Sequence, residues 1–195
     1  LLNAWTLLLM PLISRLLEKV SPRWVLGAGL ALMATGDFLA ATLSVDDRAL
    51  TSLILPIGLV GIGFALTVSS ITATAVNTVE VHYAGMASAS TSLLRDFGFT
   101  LGPAVIGAIA LSHAATEFTS KLASSDLSAQ VKAAAGQVAA EGGPLASNSV
   151  PPSSPPGGAV PIALEALGNG YAIGYVVCGI AALACCLLSV IALRG

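Results

Sequence analysis

Apolar residues in this chain come in long unbroken runs, not in the alternation of strands or the narrow stripes of soluble helices. Five stretches are long enough for a helix to cross a bilayer core, which takes about 20 residues for a thickness of roughly 30 Å. They are Leu1 to Leu17, Trp24 to Ser44, Leu50 to about Thr78, Tyr83 to about Ser112, and Tyr171 to Leu193. A transmembrane barrel would instead alternate polar and apolar positions every second residue. The third and fourth stretches exceed the required length, so they are expected to tilt or to protrude from the membrane. The pattern predicts an all-α, polytopic membrane helix bundle.

The connections set the organisation. Residues 1–112 read as four spans, the first one truncated. Residues 113–170 read as an extracytoplasmic loop, and 171–195 as the last span with a cytoplasmic end. Lys and Arg mark the cytoplasmic side of short loops. Arg15, Lys19 and Arg23 flank the first connection, whereas the second carries Asp46 and Asp47 with Arg48. The first connection therefore faces the cytoplasm, the turn at Glu80–His82 does too, and the carboxyl end lies inside. Within the long loop, Phe118, Leu122, Val131, Ala135 and Val138 recur at near-helical spacing, with Glu117, Lys121, Asp126 and Lys132 between them. This predicts one amphipathic helix from about Ala115 to Ala140, lying on the outer membrane surface or on the helix ends. From Gly142 to Pro161, Gly, Pro and Ser accumulate into a flexible or extended linker.

Composition agrees and narrows the function classes. Of 195 residues, 55% are hydrophobic and only 9% charged, with a mean hydropathy of +0.89. A soluble domain carries about a quarter charged residues, so an ordinary cytoplasmic enzyme and a disordered tail are excluded. Eight Lys and Arg against ten Asp and Glu leave no basic stripe for nucleic acid. The chain opens at Leu1 inside an apolar run, without Met or a charged segment, and is expected to be the C-terminal part of a longer protein. Cys178, Cys185 and Cys186 share one apolar run with no His or carboxylate at ligand spacing, so they are expected to be buried helix residues, with no metal or cofactor.

Two segments resemble a known family. The cytoplasmic turn Ser14-Arg15-Leu16-Leu17-Glu18-Lys19-Val20-Ser21-Pro22-Arg23 is similar to the second-half loop signature of the major facilitator superfamily. That family usually has Gly, Asp and Arg where this chain has Ser14, Glu18 and Lys19, while Arg23 matches outright. Acid and base at opposite helix ends suit the helix dipoles and can latch neighbouring helices in one state of a rocking transporter. The fourth span has a small-residue run, then Arg95-Asp96, then Gly98-Phe99-Thr100-Leu101-Gly102-Pro103, followed by Ile106-Gly107. This resembles drug:proton antiporters of the superfamily, with Ile106-Gly107 in place of their glycine pair. Gly98 and Gly102 lie one turn apart and permit close helix contact. Pro103 removes a backbone hydrogen bond and can bend the helix. Five spans, with a long outer loop before the last, resemble the end of the fourteen-span drug:proton antiporter branch. The resemblance implies a missing amino-terminal half, alternating access, and small-molecule substrates and protons as partners beside the lipid bilayer of the cell membrane.

Ionisable groups at membrane depth cost about 3 kcal/mol on insertion scales and are functional candidates by default. Asp37, Arg95 and Asp96 qualify as proton or substrate pathway residues. Arg95 and Asp96 are adjacent, so their side chains diverge by about 100° and cannot both aim at one neighbour. Arg95 could equally anchor the cytoplasmic part of the bundle, and Asp37 could reach outer water. The run Gly58-Leu59-Val60-Gly61-Ile62-Gly63 lacks the strand and acidic partner of a dinucleotide site and reads as a helix-packing surface. No nucleophile–base pair or metalloprotease motif is present. The competing function is a non-transport membrane scaffold or accessory subunit.

Overall fold

The computed structural model describes residues 15, 20–43, 50–143, 145–146 and 154–192. The expected first span, Leu1 to Leu17, lies outside these residues save Arg15, as do Ser14, Glu18 and Lys19 of the loop signature and the acidic turn at 46–48. The described residues are almost all helical, and none of them lies in a strand. The helices are α1 (Pro22–Ala41), α2 (Leu50–Asn77), α3 (Ala84–Ser124), α4 (Ala129–Gly142) and α5 (Val160–Ala192). Four segments among the described residues are long and apolar enough to cross a membrane: Pro22–Ala41, Ser52–Asn77, Val81–Ser124 and Gly157–Ala192.

Local chemistry fixes the helix ends. Ser21 precedes α1 and Pro22 opens it, where a fixed φ and a missing N–H cost nothing. The Thr42 hydroxyl closes α1 by donating to the Leu39 carbonyl at 2.8 Å. Between α2 and α3 the chain turns at Glu80 through a short helical turn, Val81–Tyr83. Ser128 caps α4 by accepting from the Val131 N–H, and Gly143 ends it at φ 67°, a conformation glycine adopts without steric cost.

Helix lengths differ from the sequence pattern in the expected outer loop. α3 runs past Ser112 to Ser124, about 60 Å in all and twice a bilayer core. The single amphipathic helix expected from Ala115 to Ala140 is split: its first part continues α3, and a break at residues 125–128 precedes α4. Ser124, Ser125 and Ser128 explain the break, because serine hydroxyls compete for backbone groups. Ser124 and Ser125 donate to carbonyls three and four residues back, and Ser128 starts a new helix. α5 begins at Val160, well before Tyr171, and the linker before it forms a short helical turn at Pro155–Ala159.

The chain forms two compact units. The first contains α1, α2, α3 up to Pro103 and α5 from Tyr175. Here α1 and α2 pack closely through small residues. A β-carbon on Gly29 would meet the Gly63 carbonyl and the Thr67 hydroxyl, and one on Gly36 would meet Val60 and the Pro56 carbonyl, all within 3.0 Å. The end of α5 joins α1 the same way, with Gly27 under Val190 and Gly179 against the Phe38 ring. The Cys186 thiol donates to the Gly27 carbonyl at 3.3 Å. The second unit holds the rest of α3, α4 and the start of α5. Its core is Phe118, Leu122, Ala135, Ala159, Ala163 and Ala166, and Gly170 and Gly174 bring α5 onto Ala110, Ala114 and Ile106 of α3.

Candidate functional site

Within the first unit, α1, α2 and α3 line a half-open cavity of about 450 Å³. Leu30 and Met33 line it from α1, Phe64, Thr67 and Ile71 from α2, and Thr91, Leu94 and Arg95 from α3. The side chains follow from helical spacing. Leu30 and Met33, Phe64 and Thr67, and Thr91 and Arg95 stand three or four residues apart, one turn each, so each pair shares a helix face. The α1–α2 wall is held by the glycine contacts. On the α3 side the Phe64 and Phe99 rings meet at 6.0 Å between centroids.

Most polar groups here are already satisfied. Thr72 donates to the Val68 carbonyl at 3.0 Å and Thr91 to the Ala87 carbonyl at 2.8 Å. Thr67 points its hydroxyl at the Met33 sulfur at 3.9 Å. Arg95 differs. Its Nε is 3.9 Å from an Asp96 carboxylate oxygen, beyond hydrogen-bond reach, and Asp96 is itself 73% exposed against 38% for Arg95. Among the described residues no carboxylate lines the cavity. Among the described residues the arrangement is a half-open, mostly apolar cavity with one cation, Arg95, in its wall.

The structure divides the sequence candidates. Arg95 lines the cavity, whereas Asp96, its neighbour, does not. Asp37 is half-buried on α1 between Gly36, which meets α2, and Phe38, which meets α5. It is not part of the cavity wall. Arg23 lies at the start of α1 with its guanidinium 5.4 Å over the Trp24 ring. Gly98, Gly102 and Gly107 have nothing within 4 Å of where a β-carbon would stand, and Pro103 sits inside the continuous α3. Close glycine contacts between helices are made by Gly29, Gly36, Gly63 and Gly170, with Gly27 and Gly179 slightly looser. Of the run Gly58 to Gly63, expected to be a packing surface, Gly63 makes a close contact and Gly58 has nothing within 4 Å; Gly29 and Gly36 carry a further readable signal, a spacing of seven residues in a run of alanine and leucine.

A second polar cluster was also missed as a unit. Lys121 lies 2.8 Å from carboxylate oxygens of both Glu117 and Glu165, and the Asn169 amide donates to Glu117 at 2.6 Å. These four residues tie α3 to the start of α5 inside the second unit. Lys132 donates to the Ala123 carbonyl at 2.9 Å and ties α4 to the end of α3. Among the described residues no group of His, Cys, Asp or Glu could hold a metal ion.

Long apolar helices joined by glycine contacts define a polytopic helical membrane protein. Over 99 residues the chain is 33% identical to the multidrug resistance protein Stp of Mycobacterium tuberculosis, in strains CDC 1551 / Oshkosh and ATCC 25618 / H37Rv alike. The match covers 51% of this chain and 18% of each relative. No family model matches the chain, and no solved structure does.

Proposed function

We propose that the chain is the C-terminal part of a secondary active transporter of the major facilitator type, moving drugs or other small molecules outward against proton entry. The identity to a protein named for multidrug resistance carries this reading. Spanning helices and a small-molecule-sized cavity support it, since transporter sites lie between helices near the bilayer midplane. In this reading Asp37 takes up and releases the proton, because a carboxyl within a span is costly unless it serves a pathway. Arg95 faces the substrate. The missing half supplies the opposite wall, and the carboxyl end lies in the cytosol.

Cells producing the full-length protein should export a fluorescent dye, and a proton uncoupler should stop them. Efflux that ignores the uncoupler would overturn proton coupling. Asp37→Asn is expected to cut uncoupler-sensitive efflux by about tenfold or more at unchanged protein level, the behaviour of a pathway group. Full activity in that variant would remove Asp37 from the pathway.

On the same reading, α3 beyond Ser112 and the start of α5 stand in water outside the membrane. There the hydrogen bond from Lys121, aided by Asn169, holds the Glu117 carboxyl below its ordinary 4.5. A depressed carboxyl stabilises fully above its unfolded value and loses that contribution as pH falls through the folded one. The α3–α5 tie is therefore intact at neutral pH and weakens only in acid below 4.5. Limited proteolysis of this segment should accelerate on acidification, and Glu117→Gln should be fast at neutral pH and flatten the acid response.

A further inference from the structure

Arg95 is a cation in an otherwise mostly apolar wall; among the described residues no carboxylate lines that wall, and the nearest acid, Asp96, stands 3.9 Å away and outside it. The cavity volume of about 450 Å³ falls within the roughly 300–1,000 Å³ of small-molecule sites, which are mostly apolar with a few fixed polar groups. The threonine hydroxyls on its wall are spent on their own helices or on Met33. The guanidinium has no partner among the described residues closer than Asp96 at 3.9 Å. A guanidinium offers several donors in a planar fork that suits carboxylate, sulfate or phosphate oxygens. An organic cation would meet Arg95 with no compensating carboxylate among the described residues of the wall.

We infer that the cavity takes a single-chain amphiphile with one anionic headgroup, its apolar body against Leu30, Met33, Phe64 and Leu94 and its headgroup on the Arg95 guanidinium. As a statement about substrate class, this rests on the transporter reading; as a binding site, it stands on the cavity itself. A headgroup at Arg95 lies one helical turn from Thr91, whose O–H already donates to the Ala87 carbonyl at 2.8 Å and so offers the anion no donor. Discrimination therefore comes from charge on Arg95, and affinity from the apolar wall.

The test uses the full-length protein in a maltoside detergent, with the fluorescent fatty acid cis-parinarate as reporter. Laurate and dodecyl sulfate should displace it, whereas dodecanol and dodecyltrimethylammonium of the same chain length should displace it about tenfold less well, the scale of one charge-assisted contact. Arg95→Gln should weaken laurate about tenfold or more and leave dodecanol unchanged, while Arg95→Lys should keep most of the laurate affinity. Should Arg95→Gln fail to fold, Leu30→Trp, which fills the chamber and leaves the charge, should block both laurate and parinarate. Equal binding of laurate by wild type and Arg95→Gln, or preference for the cationic amphiphile, would overturn the inference. Dye efflux separates the two readings. Efflux without anion binding removes this site alone, and anion binding without efflux of dye or laurate keeps the site and removes transport.

Discussion

Gly63→Val is expected to separate α1 from α2 and to abolish a stable first unit. A β-carbon at Gly63 would lie 2.7 Å from Met33 Cγ and 2.8 Å from the Met33 nitrogen, and against the Gly29 carbonyl. Two of these neighbours are backbone, so no side-chain rotation relieves the clash. Overpacking a close-packed interior costs about 1–3 kcal/mol where side chains can yield, and valine here adds three carbons where they cannot. Gly63→Ala should already lower the melting temperature in detergent, and Gly63→Val should leave little folded protein. Gly98→Ala is the matched control. Nothing stands within 4 Å of its β-carbon, and alanine is favoured over glycine by about 1 kcal/mol inside a helix, so this variant should melt at or above wild type. A Gly63→Ala protein as stable as Gly98→Ala would refute the tight α1–α2 contact. Destabilisation by Gly98→Ala in the full-length protein, in contrast, would reveal a segment outside the described residues packed on that glycine.

That contrast also marks how far the sequence could be read. Spanning helices were legible because a run of twenty apolar residues has one physical meaning, and α1 and α2 begin and end within a few residues of the hydropathy pattern. The membrane helices' continuation was not. Hydropathy falls beyond Ser112, but a helix does not end because its surface turns polar; it ends where serines and glycine offer the backbone another partner, at Ser124 and at Gly143. The packing of α1 on α2 was half legible. A glycine run pointed to Gly63, but which face of α1 receives it depends on the register of two helices, which neither helix encodes alone. Arg95 was named from depth in the span, whereas its difference from Asp96 needed the wall of the cavity. The Glu117–Lys121–Glu165–Asn169 cluster combines an i, i+4 pair, visible in the sequence, with two residues more than forty positions away, which no local pattern joins.

In the second unit, Phe118→Ala should open the core that joins α3, α4 and the start of α5. Phe118 is 1% exposed, and its neighbours in that core are Leu122 and four alanines, at 135, 159, 163 and 166. Alanines cannot move in to fill the space of a ring. Phe→Ala in a core costs about 3–5 kcal/mol, rising with the volume left empty. A cavity of about 180 Å³ already adjoins Phe118, walled by Leu122, Gly136 and Ala139, so the void would enlarge an existing one. The expected result is rapid protease cleavage around the break at 125–128, while the first unit keeps its melting transition. Gly136→Ala should act in the opposite direction. Its β-carbon has open space, it removes a glycine from the interior of α4 worth about 0.8–1 kcal/mol, and it places a methyl group toward that cavity. Slower cleavage in Gly136→Ala and faster cleavage in Phe118→Ala would establish that α3, α4 and the start of α5 pack through this face. Equal cleavage of Phe118→Ala and wild type would mean that the amphipathic face is covered by lipid instead of by α5, one of the two placements that the hydrophobic pattern of the loop allows.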